Sequence, residues 1–598
     1  LALMGRSDPA KDAELASNLD RFAQAGVAFR YFAADLTDRD SVSRVLQNCQ
    51  TEFGPITAVL HGAGNNHPKR LEEITPADLD QVFAPKLAGL LNLLDNVQPD
   101  KVRLLLTFGS IIARTGLHGE AHYGLANEWL ALAVEKWRKA HPQCRCLNIE
   151  WSVWGGIGMG QRLGVLDSLV RQGITPLPLD DAIEQLKAMI AWKEAPAAAI
   201  ITGRFGNLRT LKFDQPTLPL LRFLEHPRLY LPEIELIVDA DLSEDSDAYV
   251  AEHTFQSEQL FPAVMGMEAM AQTAKALEQT DRVPSFRNLR FARPIIVPHH
   301  QPVTIRIAAL RRRPGVVSVA IRCSSTGFQM DHFSGECVFE QTQVETTGSP
   351  AARIADRDIP LDPSRDLYGP ILFQSGRFSR VEAYQLLKSD LSIARLRPPK
   401  QGQWFARHLS PELILGDSAS RDAALHSIQA CIPHRTILPV GVDRITTGAG
   451  WTSGAAHVHA IERSSDGDNL VYDLRIENAD GKICEQWEGL RLRAVSAIET
   501  HTPWPLALLA PYLERSVRQT LARADIKVGL ASGPAERHAK TNDKLLREMH
   551  GPNAALIHRS DGKPEVTGVS GPVSVSISHS CEFTLLLSAS SAAGCDLE

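Results

Sequence analysis

Residues 103–110 have the sequence Arg-Leu-Leu-Leu-Thr-Phe-Gly-Ser, an apolar run that ends in a glycine and a serine. A similar run, Ala-Val-Leu at 58–60, precedes His-Gly-Ala-Gly at 61–64. Helical stretches separate such runs from residue 1 to about residue 212. This alternation predicts βα units and a parallel sheet, so the first part of the chain is predicted to be an α/β domain.

The pattern changes near residue 214. From about 225 to 498, runs of β-branched and apolar residues dominate, with one helical stretch after Pro262 and another around Asp422. Two strand-rich halves, each with one central helix, indicate a duplicated unit. The Thr-, Ser- and Pro-rich segment Gln341–Pro360 is the predicted linker between the halves. A further segment follows residue 505, helical at first and strand-rich later.

Composition narrows the class of protein. The 598 residues, 44% of them hydrophobic, are enough for about three or four domains. A net charge of −7 argues against a nucleic-acid partner, which would require a basic face. No run of 18 apolar residues predicts a membrane span. Nine scattered cysteines without a Cys-x-x-Cys pair predict reduced thiols and a cytoplasmic location. The segment Leu1–Ser7 is not a signal peptide and looks like a strand entered midway, so we expect a fragment.

Four residues have the chemistry of a carbonyl reductase. Hydride delivery to a ketone needs a proton donor for the forming alkoxide, a group that orients the carbonyl, and a cation that depresses the donor's pKa. Tyr123 can donate, and Ser110 stands where an apolar strand ends. Asn127 lies one helical turn beyond Tyr123 on the same face. Lys86 is predicted on the preceding helix and supplies the cation.

This set resembles the ketoreductase domains of polyketide synthases, in the short-chain dehydrogenase superfamily, with Lys and Asn in swapped positions. The resemblance implies a Rossmann-like domain that uses NADPH, with Arg6 suited to the 2′-phosphate. It also implies that the pyrophosphate-binding glycine loop would precede Leu1. The cofactor-contacting positions that the resemblance implies are Arg6, Ser7, Asp35, Leu36, Gly62, Ala63 and Gly64.

Two residues of the middle region have the chemistry of a dehydratase. Loss of water from a 3-hydroxyacyl thioester needs a base for the α-proton and an acid for the departing hydroxyl. His253 precedes an apolar helix and is the predicted base. Asp422 is the predicted acid, and we expect burial to raise its pKa and keep it protonated.

The surroundings of these two residues resemble the double hot-dog dehydratases of polyketide and fatty-acid synthesis. His253 and Pro262 match the family's His-xxx-Gly-xxxx-Pro motif, with Ser257 in place of its glycine. Asp422 and His426 match the Asp-xxx-Gln/His motif. The Tyr-Gly-Pro sequence at 368–370 matches a segment that lines the family's substrate tunnel. We therefore expect two hot-dog folds that bring His253 and Asp422 into one tunnel.

The last residues resemble the start of a magnesium site. Asp596 and Glu598 alternate on a predicted strand, so both face one side. With Gly-Lys-Pro at 562–564 and Ser-His at 578–579, the segment resembles the Sfp-type phosphopantetheinyl transferases. The resemblance implies that Lys563, Pro564 and His579 contact coenzyme A. It also implies that Asp596 and Glu598 bind Mg²⁺ and that the rest of this domain would follow Glu598.

The order of the three segments resembles iterative type I polyketide synthases of the enediyne and polyene type. The predicted domains are a ketoreductase at 1–215, a dehydratase at 216–500 with halves at about 225–345 and 360–498, and part of a transferase at 501–598. The implied partners are an acyl carrier protein domain with its phosphopantetheine-linked chain, upstream ketosynthase and acyltransferase domains, and a second copy in a homodimer. A polyunsaturated-fatty-acid synthase subunit and a non-catalytic scaffold remain alternatives.

Overall fold

The structure is a computed structural model. It describes residues 1–205, 210, 217–340, 358–399, 402–448, 451, 454–498, 503–533, 538–580, 582–592 and 594–595. Two compact units make up the chain, Leu1–Lys212 and Phe213–Glu598. The predicted boundaries near 215 and 500 stay predictions, and most of the predicted linker, 341–357, lies outside the described residues.

The first unit alternates strands with helices. Its strands are β1 Ala2–Gly5, β2 Arg30–Ala33, β3 Ala58–His61, β4 Leu104–Ser110, β5 Arg145–Trp151 and β6 Ala198–Ile201. Its α-helices are α1 Ala13–Gln24, α2 Arg39–Phe53, α3 Pro76–Phe83, α4 Gly89–Asp95, α5 Ile112–Thr115, α6 Ala121–Ala140, α7 Met159–Arg162, α8 Leu166–Arg171 and α9 Leu179–Ala191. A π-helical turn, Ala84–Ala88, joins α3 to α4.

The strands of this unit pair in parallel, which confirms the predicted α/β class. Strands β3, β4, β5 and β6 form one sheet in that order, and β1 pairs with β2 in a separate two-stranded sheet. Helix α6 lies against β4 and β5. Its buried residues recur every three or four positions, which is the spacing of one helix face: His122, Tyr123, Ala126, Asn127, Leu130, Ala131 and Val134. Two predicted site residues therefore lie on the face that meets the sheet.

The second unit begins with two strand-rich halves. The first half contains β7 His226–Leu231, β8 Glu235–Leu242, β9 Thr254–Phe255, β10 Glu258–Leu260, α10 Ala263–Glu278, β11 Ser285–Phe291, β12 Ile296–Val297, β13 Val303–Arg313, β14 Val316–Cys323 and β15 Asp331–Val338. The second half contains α11 Pro363–Asp366, β16 Val381–Leu387, β17 Leu391–Leu396, α12 Ser418–Gln429, β18 Arg435–Thr447, β19 His457–Asp466, β20 Asn469–Glu477 and β21 Ile483–Ala497.

One antiparallel sheet of twelve strands runs through both halves, in the order β16-β17-β19-β20-β21-β18-β11-β15-β14-β13-β8-β7. The halves join where β11 pairs with β18, with Phe286 opposite Ile445 and Leu289 opposite Val442. Helix α10 packs on β8, β13, β14 and β15, and α12 packs on β16, β17, β18 and β19. Each helix is wrapped by its own half of the sheet, and the two helices touch. This is the predicted double hot-dog architecture.

The remaining elements are α13 Leu506–Leu521, β22 Lys527–Ser532, α14 His538–His550, β23 Ala555–His558, β24 Pro564–Thr567, β25 Ser574–Ser580 and β26 Phe583–Ala589. Helix α13 docks on the turn between β16 and β17 through charged side chains. Glu514 accepts a hydrogen bond of 2.5 Å from Ser389, and Arg518 lies 2.7 Å from the carboxylate of Asp390. Leu508 of the same helix joins the hydrophobic core of the hot-dog halves.

No helix in the described part of the chain combines the length and the apolar character that crossing a membrane requires. The cysteines within the described ranges are free thiols, as the sequence predicted.

Candidate active sites

The first candidate site lies where β4 ends. Ser110 is the last residue of β4, and its hydroxyl accepts the amide of Ile112 at 3.3 Å. Lys86, on the π-helical turn, is 3% exposed and donates to the carbonyl of Phe108 at 3.2 Å. Its ammonium is 5.4 Å from the centre of the Tyr123 ring. The fold therefore brings Lys86, Ser110 and Tyr123 together.

These three side chains line a cavity of about 400 Å³. Apolar side chains form much of its wall, among them Phe108, Trp151 and Trp154. Asn127 is fully buried behind the cavity, and its side-chain amide donates to the backbone carbonyl of Tyr123 at 2.7 Å. It can hold the helix at Tyr123, whereas the other three residues can meet a ligand.

Burial sets the protonation of this site. The pKa of the Tyr123 phenol is raised, because burial, the largest cause, outweighs the hydrogen bonds from Asn127 and Ser110; Glu120 adds to the rise only when it is ionised. Burial also lowers the pKa of the Lys86 ammonium to about 8. Desolvation of the phenolate is the largest effect on Tyr123. The expectation that a cation depresses the pKa of this donor stays a prediction.

The predicted cofactor positions lie at the carboxyl ends of the strands. Gly62, Ala63 and Gly64 follow β3, and a Cβ atom at Gly64 would lie 3.0 Å from Cε of Lys86. A side chain at position 64 would therefore press on the end of the Lys86 side chain, and the cavity beside these glycines has room for a nicotinamide ring.

Arg6 and Ser7 follow β1 and are exposed, while Asp35 and Leu36 follow β2. The carboxylate of Asp35 accepts the amide of Thr37 at 2.8 Å. Its pKa is lowered first by this turn and also by the nearby Arg6. An exposed guanidinium at this edge fits a 2′-phosphate. The cofactor role of all seven positions stays a prediction.

The second candidate site lies between the two hot-dog helices. Asp422 is on α12, and His253 follows the short 3₁₀ turn Val250–Glu252. Nε2 of His253 is 3.8 Å from Oδ2 of Asp422, and both side chains are buried. A small cavity of about 50 Å³ reaches both. The structure thus brings the predicted base and acid to one point.

A second histidine and a tyrosine surround the acid. Nε2 of His426 lies 3.0 Å from Oδ2 of Asp422, and Nδ1 of the same ring is 3.2 Å from the hydroxyl of Tyr368. That hydroxyl also accepts the backbone amides of Arg380 and Val381, both at 3.1 Å. Tyr368 therefore has its acceptor positions filled and can donate its own proton to His426.

The pKa values of His253 and Asp422 are both lowered, but for different reasons. Burial lowers the pKa of His253 to about 4, so its imidazole is neutral near pH 7 and can accept a proton. Burial acts to raise the pKa of Asp422, but His426 and His253 outweigh it and the net pKa lies below its ordinary value. Our expectation that burial keeps Asp422 protonated is wrong for the free site. The two neighbouring rings favour the carboxylate.

The turn after His253 shows how Ser257 replaces the expected glycine. Gln256 and Ser257 have φ angles of +50° and +66° between the paired residues Phe255 and Glu258. This is a two-residue hairpin that requires left-handed backbone at both positions, for which glycine is the favoured residue. The turn forms with serine at position 257 in place of the motif's glycine. The serine therefore adds backbone strain to the turn but keeps its geometry.

The C-terminal candidate residues lie on separate elements. Lys563 is exposed in the turn between β23 and β24, Pro564 begins β24, and His579 is on β25. Asp596 and Glu598 lie outside the described residues. The described ranges contain no group of three or more His, Cys, Asp or Glu side chains that could hold a metal ion. The coenzyme A and Mg²⁺ roles remain predictions.

One residue of the first cavity was missed. Glu120 lines the cavity beside Tyr123 and is 6% exposed. Its spacing of three residues from Tyr123, which predicts a common helix face, was the available signal.

Family models match three stretches of the chain. A KR (ketoreductase) domain matches residues 1–156, a polyketide synthase dehydratase domain matches 224–323, and a polyketide synthase dehydratase N-terminal domain matches 345–501. These stretches contain all the predicted reductase and dehydratase residues.

Curated relatives agree with these matches. The spectinabilin polyketide synthase system protein NorB of Streptomyces orinoci is 33% identical over 232 residues, which cover 38% of this chain and 10% of that protein. Polyketide synthase GfsA of Streptomyces halstedii is 34% identical over 170 residues, covering 28% of this chain and 2% of that protein. The chain thus matches a tenth or less of the length of these relatives.

A solved structure, the dehydratase domain from the CurF module of curacin polyketide synthase, is 17% identical with a TM-score of 0.39 and covers 46% of this chain and 100% of that chain. The KR match is consistent with NADPH use. Residues 1–156 of the chain thus match a ketoreductase domain, and residues 224–323 and 345–501 match dehydratase domains of polyketide synthases.

Proposed function

We propose that the chain performs two consecutive steps on an acyl thioester held by a carrier protein. The first unit reduces the 3-keto group with NADPH, and the double hot-dog domain then removes water to leave a conjugated enoyl thioester. The observation that carries this proposal is the pairing of His253 and Asp422 at 3.8 Å inside one buried pocket, in a chain that also encloses a reductase-type cavity.

In the reductase step, NADPH supplies a hydride to the carbonyl carbon when it is bound. Gly62 and Gly64 would let it approach Lys86, and Arg6 would meet its phosphate. Ser110 holds the ketone oxygen by a hydrogen bond, and Tyr123 donates the proton that the forming alkoxide needs. Because the pKa of Lys86 is about 8, its ammonium form is the major one near pH 7 and can stabilise the phenolate that Tyr123 becomes.

In the dehydration step, the neutral imidazole of His253 removes the α-proton. The C–O bond at the β-carbon breaks, the C=C bond forms, and the hydroxyl leaves as water. The departing hydroxyl needs a proton, and the proton that His253 removed supplies it. Because Asp422 lies 3.8 Å from His253, this proton can reach the hydroxyl directly or through the Asp422 carboxylate. No outside oxidant or reductant is needed, and both side chains return to their starting forms.

The test uses 3-ketoacyl and 3-hydroxyacyl thioesters of N-acetylcysteamine, with products identified by mass spectrometry. We expect Tyr123→Phe to lose reduction by about 10²–10⁴-fold while dehydration continues, and Asp422→Asn to show the converse loss. Each variant is the control for the other site. Full retention of reduction in Tyr123→Phe, or of dehydration in Asp422→Asn, would show that these residues have other roles.

For the C-terminal segment we propose the transferase role that its sequence resembles, which would place the chain among polyene- or enediyne-type synthases. One contact supports it: the amide of Cys595 donates to the hydroxyl of Ser576 at 3.0 Å, on the strand that carries His579. The residues directly before Asp596 therefore lie beside the predicted coenzyme A segment.

The test of this second proposal is to incubate the chain, and a version extended past Glu598, with coenzyme A, Mg²⁺ and an apo carrier protein. Mass spectrometry of the carrier reports the transfer. We expect phosphopantetheine transfer that is lost when Asp596 and Glu598 are both replaced by alanine, because these carboxylates would supply part of the roughly six ligands that Mg²⁺ takes. Failure of the extended version with Asp596 and Glu598 intact would refute the assignment.

A further inference from the structure

Glu120 is a buried acid that the proposed reduction does not use. It stands at the N-terminus of α6, and its Oε1 accepts the side-chain amide of Asn66 at 3.1 Å. Its Oε2 is buried and has no hydrogen-bond partner among the residues that the structure describes. Buried carboxylic oxygens are almost always satisfied, so an open one beside a cavity calls for a partner that enters the cavity.

The surroundings of Glu120 favour its neutral form. Tyr123 and Lys86 line the same cavity as Glu120. His122 lies two residues further on in α6. Lys69 is hydrogen-bonded to the backbone of Gly119, and its ammonium is 2.7 Å from Asp78. None of the ion pairs within the described ranges includes Glu120. Burial raises its pKa, and the amide of Asn66 is the opposing contact among the described residues. A protonated carboxyl has one hydroxyl to donate, and Oε2 is the oxygen without a hydrogen-bond partner in the described part of the chain.

The position of Glu120 relative to Tyr123 suits a substrate with two carbonyl groups. Glu120 is the N-cap residue of α6 and lines the same cavity as Tyr123, so the two side chains can address neighbouring oxygens of one ligand. A 3-ketoacyl thioester has its ketone oxygen and its thioester oxygen on alternate carbons. With the ketone at Ser110 and Tyr123, the thioester oxygen is the acceptor that remains.

We propose that Glu120 is a positioning residue that donates a hydrogen bond from Oε2 to the thioester carbonyl of the substrate. This inference rests on the proposed reductase function and adds a specificity to it. The site would select ketones that carry a second carbonyl two carbons away and would hold the keto group in one orientation against Tyr123. A ketone without the thioester would gain nothing from Glu120.

The experiment compares the wild-type chain with Glu120→Ala and Glu120→Gln. Each reduces a 3-ketoacyl N-acetylcysteamine thioester and a cyclic monoketone of similar size with NADPH. We expect Glu120→Ala to lose about tenfold in kcat/KM for the thioester, mostly through KM, and to keep its rate on the monoketone. Glu120→Gln keeps a donor of nearly the same shape and should stay close to wild type. Quenching of Trp151 and Trp154, which line the cavity, measures thioester binding without cofactor.

The pH profile separates positioning from a structural role. The protonated form of Glu120 is the competent one, so wild-type kcat/KM for the thioester should fall as the pH rises through the ionisation of this acid. Glu120→Gln should lack that fall and keep only the titration of Lys86. Equal losses on both ketones, or no loss in Glu120→Ala, would overturn the inference. A wild-type chain that reduces neither ketone and binds no thioester would instead overturn the reductase function, and the inference with it.

Discussion

The buried histidine of the dehydratase pocket should make this domain lose stability in acid. His253 titrates at a pKa of about 4 in the folded chain, against about 6.5 in an unfolded one. Between these values the unfolded chain binds a proton that the folded chain refuses, so stability falls as the pH falls through this window. The stability that the neutral His253 contributes to the folded state is fully present above about pH 6.5. From about pH 7 to about pH 4.5 the loss amounts to about 2–3 kcal/mol.

Replacing the imidazole by a side chain that does not titrate isolates this effect. We expect the stability difference between His253→Gln and wild type to shift by about 2–3 kcal/mol in favour of the variant from pH 7 to pH 4.5. Urea unfolding followed by hydrogen exchange in peptides of α10 and α12 reports this domain alone. Asp422 is present in both proteins, so its own titration largely cancels. A stability difference that is constant with pH would refute the buried neutral histidine.

Three further changes test the same domain. Ser257→Gly should stabilise it by about 1 kcal/mol in urea unfolding, because φ of +66° strains serine and not glycine, and dehydration should be unchanged. Glu485→Ala should destabilise it by about 3–5 kcal/mol, since Arg421 lies 2.6 Å from Glu485 and both are buried, and a thermal melt reports the loss. Tyr368→Phe should lower the free energy of unfolding by about 1–3 kcal/mol, because it leaves two buried amides without an acceptor. His426→Gln removes the ring that contacts the same hydroxyl but leaves these two amides satisfied, so it is the matched comparison.

The architecture was largely predictable because it follows from local patterns. Apolar runs that end in small residues predicted the parallel strands of the first unit, and β-branched runs around two helices predicted the hot-dog halves. Contacts between distant residues were not predictable. The docking of α13 on Ser389 and Asp390 spans more than a hundred residues of sequence, and no periodicity records it.

The identities of the site residues could be predicted better than their chemistry. Lys86, Ser110 and Tyr123, and likewise His253 and Asp422, meet in the structure as their spacing within known motifs suggested. The pKa of Asp422, which lies below its ordinary value, differs from expectation. A pKa depends on how deeply a group is buried and on which charged or hydrogen-bonding partners lie within a few ångströms. Neither can be derived from a single amino-acid sequence.

Burial alone pushes every ionisable group toward its neutral form, and the two sites use this in different ways. In the reductase cavity it raises the pKa values of Tyr123 and Glu120, and no cation pairs with Glu120 among the described residues. In the dehydratase pocket it keeps His253 as a base. Asp422 is also buried, but two imidazoles lie close to it, and their effect lowers its pKa by more than burial raises it. The neighbouring imidazoles thus determine the protonation state of Asp422. A substitution at His426 should therefore alter dehydration even when Asp422 and His253 are unchanged.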